Sequence, residues 1–236
     1  MKMKKLAVVT GASKGIGKAI VEKFASEGFE VVVCSRSISN LEALKNEFET
    51  KYAPKIHVFV ADVSKKEEIQ SFGKFIIGLK LPIHVLVNNA GLFLPGKILE
   101  EADDTLETLI NTNVYSAYYL SRTLVPEMEV LDSAHVFNIC SIASLMAYPQ
   151  SGSYSISKFA LLGFSKSLRQ ELLNTSVKVT SIMPGATLTD SWAGVDLPAE
   201  RFMEAKDVAD IIWASYNLSK SAVVEEITLR PLKGDI

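Results

Sequence analysis

The segment Leu6-Ala7-Val8-Val9-Thr10-Gly11-Ala12-Ser13-Lys14-Gly15-Ile16-Gly17 determines how the rest of the chain is interpreted. A short apolar run leads into a glycine-rich turn, and a helical pattern follows. Glycine allows a sharp turn and a close approach of the backbone to a ligand. The N-terminus of the next helix offers free N–H groups and a positive dipole to a phosphate. The segment predicts a dinucleotide pyrophosphate site, and a glycine turn without a ligand is the alternative.

Short apolar runs alternate with amphipathic segments along nearly the whole chain. Strands are predicted at residues 5–9, 30–35, 56–60, 85–88, 134–140, 177–183 and 223–229. Helices are predicted at residues 17–27, 38–51, 65–78, 105–127, 154–173 and 205–218. Apolar strands joined by helical crossovers form parallel sheets that are covered on both faces. The pattern therefore predicts an α/β fold with a doubly wound, seven-stranded parallel sheet, in one domain over residues 1–236.

Composition excludes several classes of protein. The chain has 236 residues, 48% of them hydrophobic, with 25 basic and 27 acidic residues and a net charge of −2, so no nucleic acid partner is expected. Because no apolar run approaches the roughly 18 residues of a membrane span, and because the first apolar run is too short for a secretory signal, no membrane association is expected. Cys34 and Cys140 form no spacing motif and predict free, buried thiols in a reducing compartment. The predicted location is the cytoplasm.

The end of the second strand indicates which dinucleotide would bind. An NAD site usually has an acidic residue there, which accepts hydrogen bonds from the ribose hydroxyls. Ser35 and Arg36 occupy this place, and Lys14 lies in the glycine turn. Two cations at this point suit a 2′-phosphate, so NADP(H) is preferred over NAD(H). The alternative is that Arg36 is an ordinary surface arginine.

Polar residues also follow the third and fourth strands. Asp62 is a candidate acceptor for the adenine amino group, or a cap of the next helix, for which Ser64 would serve equally. Residues 88–91, Asn-Asn-Ala-Gly, form a polar turn at the edge that faces the ligand crevice in such folds, although a plain turn is equally compatible.

Two further positions combine with a tyrosine and a lysine. Asn113 lies within the predicted helix at 105–127, where an asparagine competes with the backbone and indicates a local bend or a function. Ser141 ends the fifth strand. Tyr154 and Lys158 are four residues apart, so on a helix they share one face. The ammonium would lower the pKa of the phenol and make it a usable general acid-base, whereas a solvated helix face is the ordinary alternative.

Together these residues resemble the classical short-chain dehydrogenase/reductase family over essentially the whole chain. The matching features are residues 10–17, Asp62, residues 88–91, Asn113, Ser141, Tyr154, Lys158, Pro184-Gly185 and Thr189, all in the family's order. The resemblance implies a Rossmann-type fold and an NADP(H)-dependent oxidoreductase that transfers a hydride between nicotinamide and a small-molecule carbonyl or alcohol substrate. No metal is implied.

The resemblance also implies roles for individual residues. Tyr154 would protonate the carbonyl oxygen, Ser141 would hydrogen-bond it, Lys158 would act on the phenol and the nicotinamide ribose, and Asn113 would hold a water that links Lys158 to solvent. The implied cofactor-binding residues are Gly11, Ser13, Lys14, Gly15, Ile16, Gly17, Ser35, Arg36, Asp62, Val63, Asn89, Ala90, Gly91, Tyr154, Lys158, Pro184, Gly185, Thr187 and Thr189.

Some features are less regular. His84 stands where the family usually has an aspartate, and a structural role is expected for it. Residues 190–204 would form the substrate lid, in which Trp192 and Phe202 line a pocket for a flat or apolar substrate or simply pack the lid. The ending at 223–236, with residues 184–186 and Trp192, resembles a bacterial branch labelled sepiapterin-reductase-like, which implies a pterin side-chain carbonyl.

The family resemblance further implies a homodimer or homotetramer joined through the helix that carries Tyr154. Phe159, Leu162 and Leu168 on that helix are candidates for this interface or for the core. Two alternative functions remain open at this point. One is a non-catalytic NADP-binding regulator on the same fold, and the other is an epimerisation or dehydration on the same scaffold. The sequence does not name the substrate.

Overall fold

The computed structural model describes residues 4–192 and 194–236, so residues 1–3 of the predicted domain and residue 193 of the predicted lid lie outside it. Seven parallel strands form one sheet in the order β3-β2-β1-β4-β5-β6-β7. The strands are β1 (Leu6–Thr10), β2 (Glu30–Ser35), β3 (Ile56–Val60), β4 (Ile83–Asn88), β5 (Ala134–Ile139), β6 (Val177–Pro184) and β7 (Glu226–Leu229). The predicted doubly wound, Rossmann-type fold is confirmed.

Helices cover both faces of the sheet. They are α1 (Gly15–Ser26), α2 (Ile38–Lys51), α3 (Lys66–Gly78), α4 (Thr105–Ile110), α5 (Ser116–Glu129), α6 (Gly152–Glu171) and α7 (Ala205–Tyr216). One apolar cluster joins α1, α2 and α7 to one face of the sheet, with Phe24, Phe48 and Ile212 fully buried. A second cluster joins α3 and α5 to the other face, around Phe72 and Leu120. Burying each such side chain contributes about 1.5–3 kcal/mol, which explains why the strands have apolar residues on both faces.

The order of the strands creates a crevice between β1 and β4. The chain winds from β1 to β2 and β3 on one side, then returns to place β4 beside β1 and continues to the other side. The turns after β1 and β4 therefore leave the sheet in opposite directions. In open α/β sheets, ligands bind in this gap at the carboxyl ends of the strands.

The predicted helix over 105–127 differs from the observed one at its centre. Residues Asn111–Tyr115 form a π-helical turn between α4 and α5, with Asn113 buried inside it. The sequence left a local bend or a function open at Asn113; the structure has a π-turn there, whose extra residue interrupts the α-helical ladder. The last strand is also shorter than the predicted 223–229, since β7 begins at Glu226 on the edge of the sheet.

The apolar side chains of α6 divide between core and surface. Leu162 is buried and Leu168 packs against the second cluster, so both belong to the interior. Phe159, in contrast, is 46% exposed. Among residues 4–192 and 194–236, no helix combines the length and apolar character that crossing a membrane requires.

His135 is a titratable group enclosed by the sheet. Its ring stacks on Phe137 with 3.9 Å between centroids, and its Nε2 is 2.7 Å from the Thr180 hydroxyl. Nδ1 is buried without a partner among the described residues. Burial, with a smaller effect from the charge of Lys178, lowers the pKa of His135 to about 3. The folded chain thus keeps this ring neutral at pH values where an unfolded histidine, with a pKa near 6.5, binds a proton.

We expect the free energy of unfolding to fall as the pH drops below about 6.5, because the unfolded state then binds a proton that folded His135 does not. The slope from one such group is about 1.4 kcal/mol per pH unit. Half-buried His84, whose pKa burial also lowers, acts in the same direction. His135→Gln should flatten the slope between pH 6.5 and 5, measured by urea unfolding at half-unit steps. An equally steep slope in the variant would contradict a neutral folded His135.

Candidate functional site

A cavity of about 640 Å³ lies along the carboxyl ends of the strands. It lies in the crevice between β1 and β4 and extends past the ends of β2, β5 and β6. All the residues predicted to bind cofactor or to act in catalysis line this cavity, with the exception of Asn113. Predicted residues as far apart in the sequence as Gly11 and Thr189, which are 178 positions apart, are thereby brought to one site.

The glycine turn is fixed by contacts that only glycine allows. Gly11 has a φ of +62°, and a Cβ there would lie 2.8 Å from the Cα of Ala90. A Cβ on Gly17 would lie 2.4 Å from the carbonyl oxygen of Gly11 and 2.5 Å from Nδ2 of Asn89. Both positions have no room for a side chain, since real Cβ atoms do not approach other atoms so closely.

Asn89 and Thr10 close the gap between β1 and β4 with four hydrogen bonds. Nδ2 of Asn89 donates to the carbonyl oxygens of Thr10 at 2.8 Å and Gly11 at 3.0 Å. In return, Oγ1 of Thr10 accepts from the backbone N–H groups of Asn89 at 3.0 Å and Ala90 at 2.9 Å. The polar turn after β4, which was predicted to face the crevice, therefore also holds the glycine turn in place.

The N-terminus of α1 suits a phosphate group. Its N-cap residue, Lys14, makes no side-chain cap hydrogen bond, so the first N–H groups of the helix have no side-chain acceptor among the described residues. Free N–H groups at a helix N-terminus, with the helix dipole behind them, bind anions. The absence of side chains at Gly15 and Gly17 leaves this end of the helix open to the cavity.

The two predicted 2′-phosphate ligands differ in their surroundings. Nζ of Lys14 pairs with Asp190 at 2.8 Å, and both side chains are two-thirds exposed. Arg36 lines the cavity near Asp62, whose pKa its charge helps to lower. Lys14 must therefore exchange Asp190 for a phosphate, whereas Arg36 has no carboxylate within ion-pair distance among the described residues.

Asp62 does not cap the next helix. Its Oδ1 accepts from the backbone N–H of Ser64 at 3.0 Å and from the Ser64 hydroxyl at 2.7 Å. The helix α3 begins at Lys66, and its N-cap residue, Lys65, makes no side-chain cap hydrogen bond. Burial would raise the pKa of Asp62, but the two bonds from Ser64 and the charge of Arg36 outweigh burial and lower it. Asp62 is therefore a charged acceptor on the wall of the cavity.

Asn113 lies behind the cavity rather than on its wall. Its Oδ1 accepts from the N–H of Leu92 at 2.7 Å, and its Nδ2 donates to the carbonyl oxygen of Leu92 at 3.0 Å and to the Ser157 hydroxyl at 2.9 Å. Both amide hydrogens are thus used within the protein. The side chain connects the segment after β4 to α6. Because both amide hydrogens are used, a water bound to Asn113 would have to donate to one of the oxygen atoms of this residue.

Lys158 is buried beside Tyr154. Its Nζ donates to the carbonyl oxygen of Ile139 at 2.9 Å and lies 5.8 Å from the centroid of the Tyr154 ring. The side chain is only 5% exposed, which is unusual for a lysine. The end of β5 and one turn of α6 therefore hold a positive charge close to the phenol.

Ser141 is held in one orientation at the end of β5. Its Oγ accepts from the N–H of Ala143 at 3.1 Å, and its own N–H donates to the Ser144 hydroxyl at 3.2 Å. The hydrogen of the Ser141 hydroxyl has no acceptor among the described residues, and the side chain lines the cavity. It is available to donate to a ligand.

Phe93 is a site residue that the sequence analysis missed. Its ring meets that of Tyr154 edge to face, with 4.8 Å between centroids and 83° between planes. The clamp of Asn113 on the preceding Leu92 places it there. Tyr148 and Ile236 also line the cavity without having been predicted. Of these three, only Phe93, two residues after the turn at 88–91, lies close to a segment that the sequence had singled out.

Three further residues considered in the sequence lie at the edge of the cavity or outside it. Trp192 lines the cavity, and its ring packs against Phe202 at 5.3 Å, while Phe202 itself does not reach the cavity. His84 lies outside the cavity, at the start of β4, where Nδ1 is 2.9 Å from the carbonyl oxygen of Pro82.

Both cysteines are free and buried beside the cavity, as predicted. Burial raises the pKa of Cys34 to about 12 and that of Cys140 to about 11. Neither is a reactive thiolate at neutral pH. Within residues 4–192 and 194–236, no cluster of three or more His, Cys, Asp or Glu side chains could hold a metal ion.

We expect Gly17→Ala to abolish dinucleotide binding and to destabilise the fold, because the added Cβ must displace Asn89 or the Gly11 carbonyl. Gly78→Ala is the matched control, since Gly78 is in a helix with open space around its Cα. That control should be neutral or stabilising by up to about 1 kcal/mol. Thermal unfolding and NADPH fluorescence titration measure both effects. If Gly17→Ala bound NADPH with the wild-type Kd, the turn would have room for a side chain at this position, contrary to the Cβ distances given above.

Comparisons with known proteins agree with this geometry. Residues 5–198 match the family described as short chain dehydrogenase. The chain is 33% identical over 228 residues to an uncharacterized oxidoreductase of Staphylococcus saprophyticus, covering 97% of each chain. It is also 33% identical over 242 residues to the sepiapterin reductase of Chlorobaculum tepidum, covering 99% of each.

A solved structure with the same fold contains a nucleotide and a substrate. It is the L-sorbose reductase of Gluconobacter frateurii, which was crystallised with NADPH and L-sorbose. The two structures superpose with a TM-score of 0.90 at 26% identity, covering 97% of this chain and 96% of that one.

Proposed function

This chain belongs to the short-chain dehydrogenase family and is an oxidoreductase, and from that premise we propose that it is an NADP(H)-dependent carbonyl reductase/alcohol dehydrogenase. The observation that carries the proposal is the arrangement of Ser141, Tyr154 and buried Lys158 at one end of a cavity whose other end has a glycine turn and Arg36. Two hydroxyl donors that line one cavity, with a buried cation near the phenol ring, match a carbonyl oxygen that gains negative charge during reduction.

The residues present fit a phosphorylated dinucleotide. The cavity volume falls within the range of about 300–1,000 Å³ that ligand sites have. The open N-terminus of α1 would bind the pyrophosphate, and Arg36 with Lys14 would bind a 2′-phosphate. Asp62 and Val63 would contact the adenine, and Asn89, Ala90, Gly91, Pro184, Gly185, Thr187 and Thr189 would enclose the remainder. NADPH in the structure of L-sorbose reductase supports this choice.

A nicotinamide held by the residues at 184–189 and by Lys158 would supply the hydride for the carbonyl carbon. Ser141 donates a hydrogen bond to the carbonyl oxygen and orients it, and Tyr154 gives its hydroxyl proton to that oxygen. Lys158 stabilises the negative charge that is left on the phenol oxygen. Asn113 holds α6 and Leu92 at a fixed separation, which keeps Tyr154 against Phe93.

A pterin side-chain carbonyl is the second candidate substrate. The 33% identity with the sepiapterin reductase of Chlorobaculum tepidum favours it, and sepiapterin therefore belongs in any substrate screen with aldehydes, ketones and diketones.

We further propose that the protein is a homodimer or homotetramer in the cytoplasm. Exposed Ile156 and Phe159 on the catalytic helix support the assembly, and the two free thiols suit a reducing compartment.

We expect Tyr154→Phe to lower kcat for every accepted carbonyl by roughly a thousandfold, because the proton donor is lost. The Kd for NADPH should stay within about twofold, since the ring and Lys158 remain. Tyr118→Phe is the control, because this hydroxyl is on the surface of α5, where it accepts from Arg122. Steady-state NADPH oxidation and fluorescence titration measure the two quantities. Near-normal turnover by Tyr154→Phe would refute the mechanism.

We expect Arg36→Asp to raise the Kd for NADPH by at least about tenfold and to leave the Kd for NADH within about threefold. A charge-assisted hydrogen bond contributes about 1.5–3 kcal/mol, and only NADPH has the phosphate that forms it. Lys45→Asp on α2 is the control. It makes the same change in net charge away from the cavity, so it measures how far net charge alone alters nucleotide affinity. An equal loss for both nucleotides would mean that Arg36 does not distinguish between them.

A further inference from the structure

The segment after β7 turns back to the cavity. The carbonyl oxygen of Leu229 accepts from the N–H of Gly185 at 2.8 Å, which places the end of β7 beside the loop after β6. The N–H of Gly234 donates to the carbonyl oxygen of Pro231 at 2.9 Å, and the φ of +84° at Gly234 reverses the chain. Ile236 consequently lies on the wall of the cavity.

Asp235 fixes this segment to two other parts of the molecule, the loops that carry Tyr148 and Arg201, and also pairs with Arg230 at the start of the segment. Its Oδ2 accepts from the hydroxyl of Tyr148 at 2.6 Å and from the guanidinium of Arg230. Its backbone carbonyl oxygen accepts from Nη2 of Arg201 at 3.3 Å. Tyr148 belongs to the loop between Ser141 and Tyr154, so the segment is attached directly to the catalytic side of the site.

The charges make this attachment strong. Burial would raise the pKa of Asp235, but the hydrogen bonds from Tyr148 and Arg230 outweigh burial and lower it. Burial and the neighbouring carboxylate raise the pKa of Tyr148, so its hydroxyl stays protonated and donates. A bond between a neutral donor and a charged acceptor is stronger than one between neutral groups.

The wall near this attachment is mainly apolar. Phe93, Tyr148, Pro149, Trp192 and Ile236 line the cavity together with the catalytic Tyr154. Aromatic side chains of this kind contact a planar group over a large area. On these five side chains a polyhydroxylated substrate would find only two hydrogen-bonding groups, the indole N–H of Trp192 and the Tyr148 hydroxyl, which Asp235 already occupies.

We propose that residues 231–236 bring Ile236 into the substrate-side wall of the cavity and that Ile236, held there by Asp235, determines specificity for carbonyl compounds that carry a planar apolar group. The proposal rests on the carbonyl reductase activity proposed above. It assigns Ile236 to contact with the substrate and Asp235 to positioning Ile236. It also predicts that aryl ketones and diketones are better substrates than ketoses.

Kinetics on two probe substrates test the proposal. For 1-phenyl-1,2-propanedione, Ile236→Ala should raise KM by about tenfold with kcat within about twofold, because a lost apolar contact weakens binding without touching the proton donor. For methylglyoxal, which has no aryl group, KM should change less than about twofold. Leu232→Ala is the matched control, since Leu232 is in the same segment and fully exposed. Equal KM values for wild type and Ile236→Ala with the aryl diketone would overturn the proposal, as would a wild-type preference for L-sorbose.

Binding without turnover separates this proposal from the proposed activity. Calorimetry measures 1-phenylethanol binding to the NADP⁺ complex of Tyr154→Phe, and of that variant with Ile236→Ala or Asp235→Asn added. We expect each added change to weaken binding about tenfold while NADP⁺ affinity stays the same. Unchanged 1-phenylethanol binding overturns the role of the segment, even if carbonyl reduction is confirmed. Absence of carbonyl-dependent NADPH oxidation by the wild-type protein, across the probe substrates, overturns the proposed activity, whatever the binding shows.

Discussion

The side chain of Asn89 joins the backbone segments that follow β1 and β4. Without this contact the two segments would separate at the point where the chain leaves the sheet. Its amide donates to the carbonyl oxygens of Thr10 and Gly11, while the Thr10 hydroxyl accepts from the N–H groups of Asn89 and Ala90. Buried backbone polar groups need partners, and here the two segments satisfy each other. The close approach leaves no volume for side chains at Gly11 and Gly17. The open helix N-terminus of α1 and the whole cavity depend on this contact.

A second polar connection performs a similar task for α6, the helix that carries Tyr154 and Lys158. Asn113 joins the backbone at Leu92 to Ser157 on α6. Lys158, the next residue, is tied to the carbonyl oxygen of Ile139 at the end of β5. The side chains proposed to act in catalysis are therefore set by contacts between three elements rather than by the helix alone. Such fixed geometry is what electrostatic stabilisation of a reacting oxygen requires.

The fold and most of the site follow from short-range patterns. Alternating apolar and amphipathic segments predicted all seven strands, and nearly every residue predicted for the site, from the strand ends or from the family resemblance, lines the cavity. Ligands collect at one edge of a parallel sheet, so strand ends in the sequence point to one place in space. Asn113 is not at a strand end. An asparagine within a predicted helix indicated that this helix is unusual, but it did not predict which groups the amide contacts.

The residues that the sequence did not reveal lack a local signature. Phe93, Tyr148 and Ile236 reach the cavity only through long-range contacts, such as that between Tyr148 and Asp235, which are 87 positions apart. An isolated aromatic or aliphatic residue is compatible with core, surface or site. The edge strand β7 was predicted too long for a related reason, since apolar Val223 and Val224 resemble a strand while only the register against β6 sets where pairing begins.

The π-helical turn at Asn111–Tyr115 also fixes the rotational phase of the helix that follows it. Each residue of an α-helix advances about 100° around the axis. Deleting one residue within the turn would restore a continuous α-helix, but it would also rotate α5 by that angle relative to α4. Leu120 and Leu124, which are fully buried against the sheet, would then turn away from it. The irregular turn is thus coupled to the packing of the core, so it cannot be removed alone.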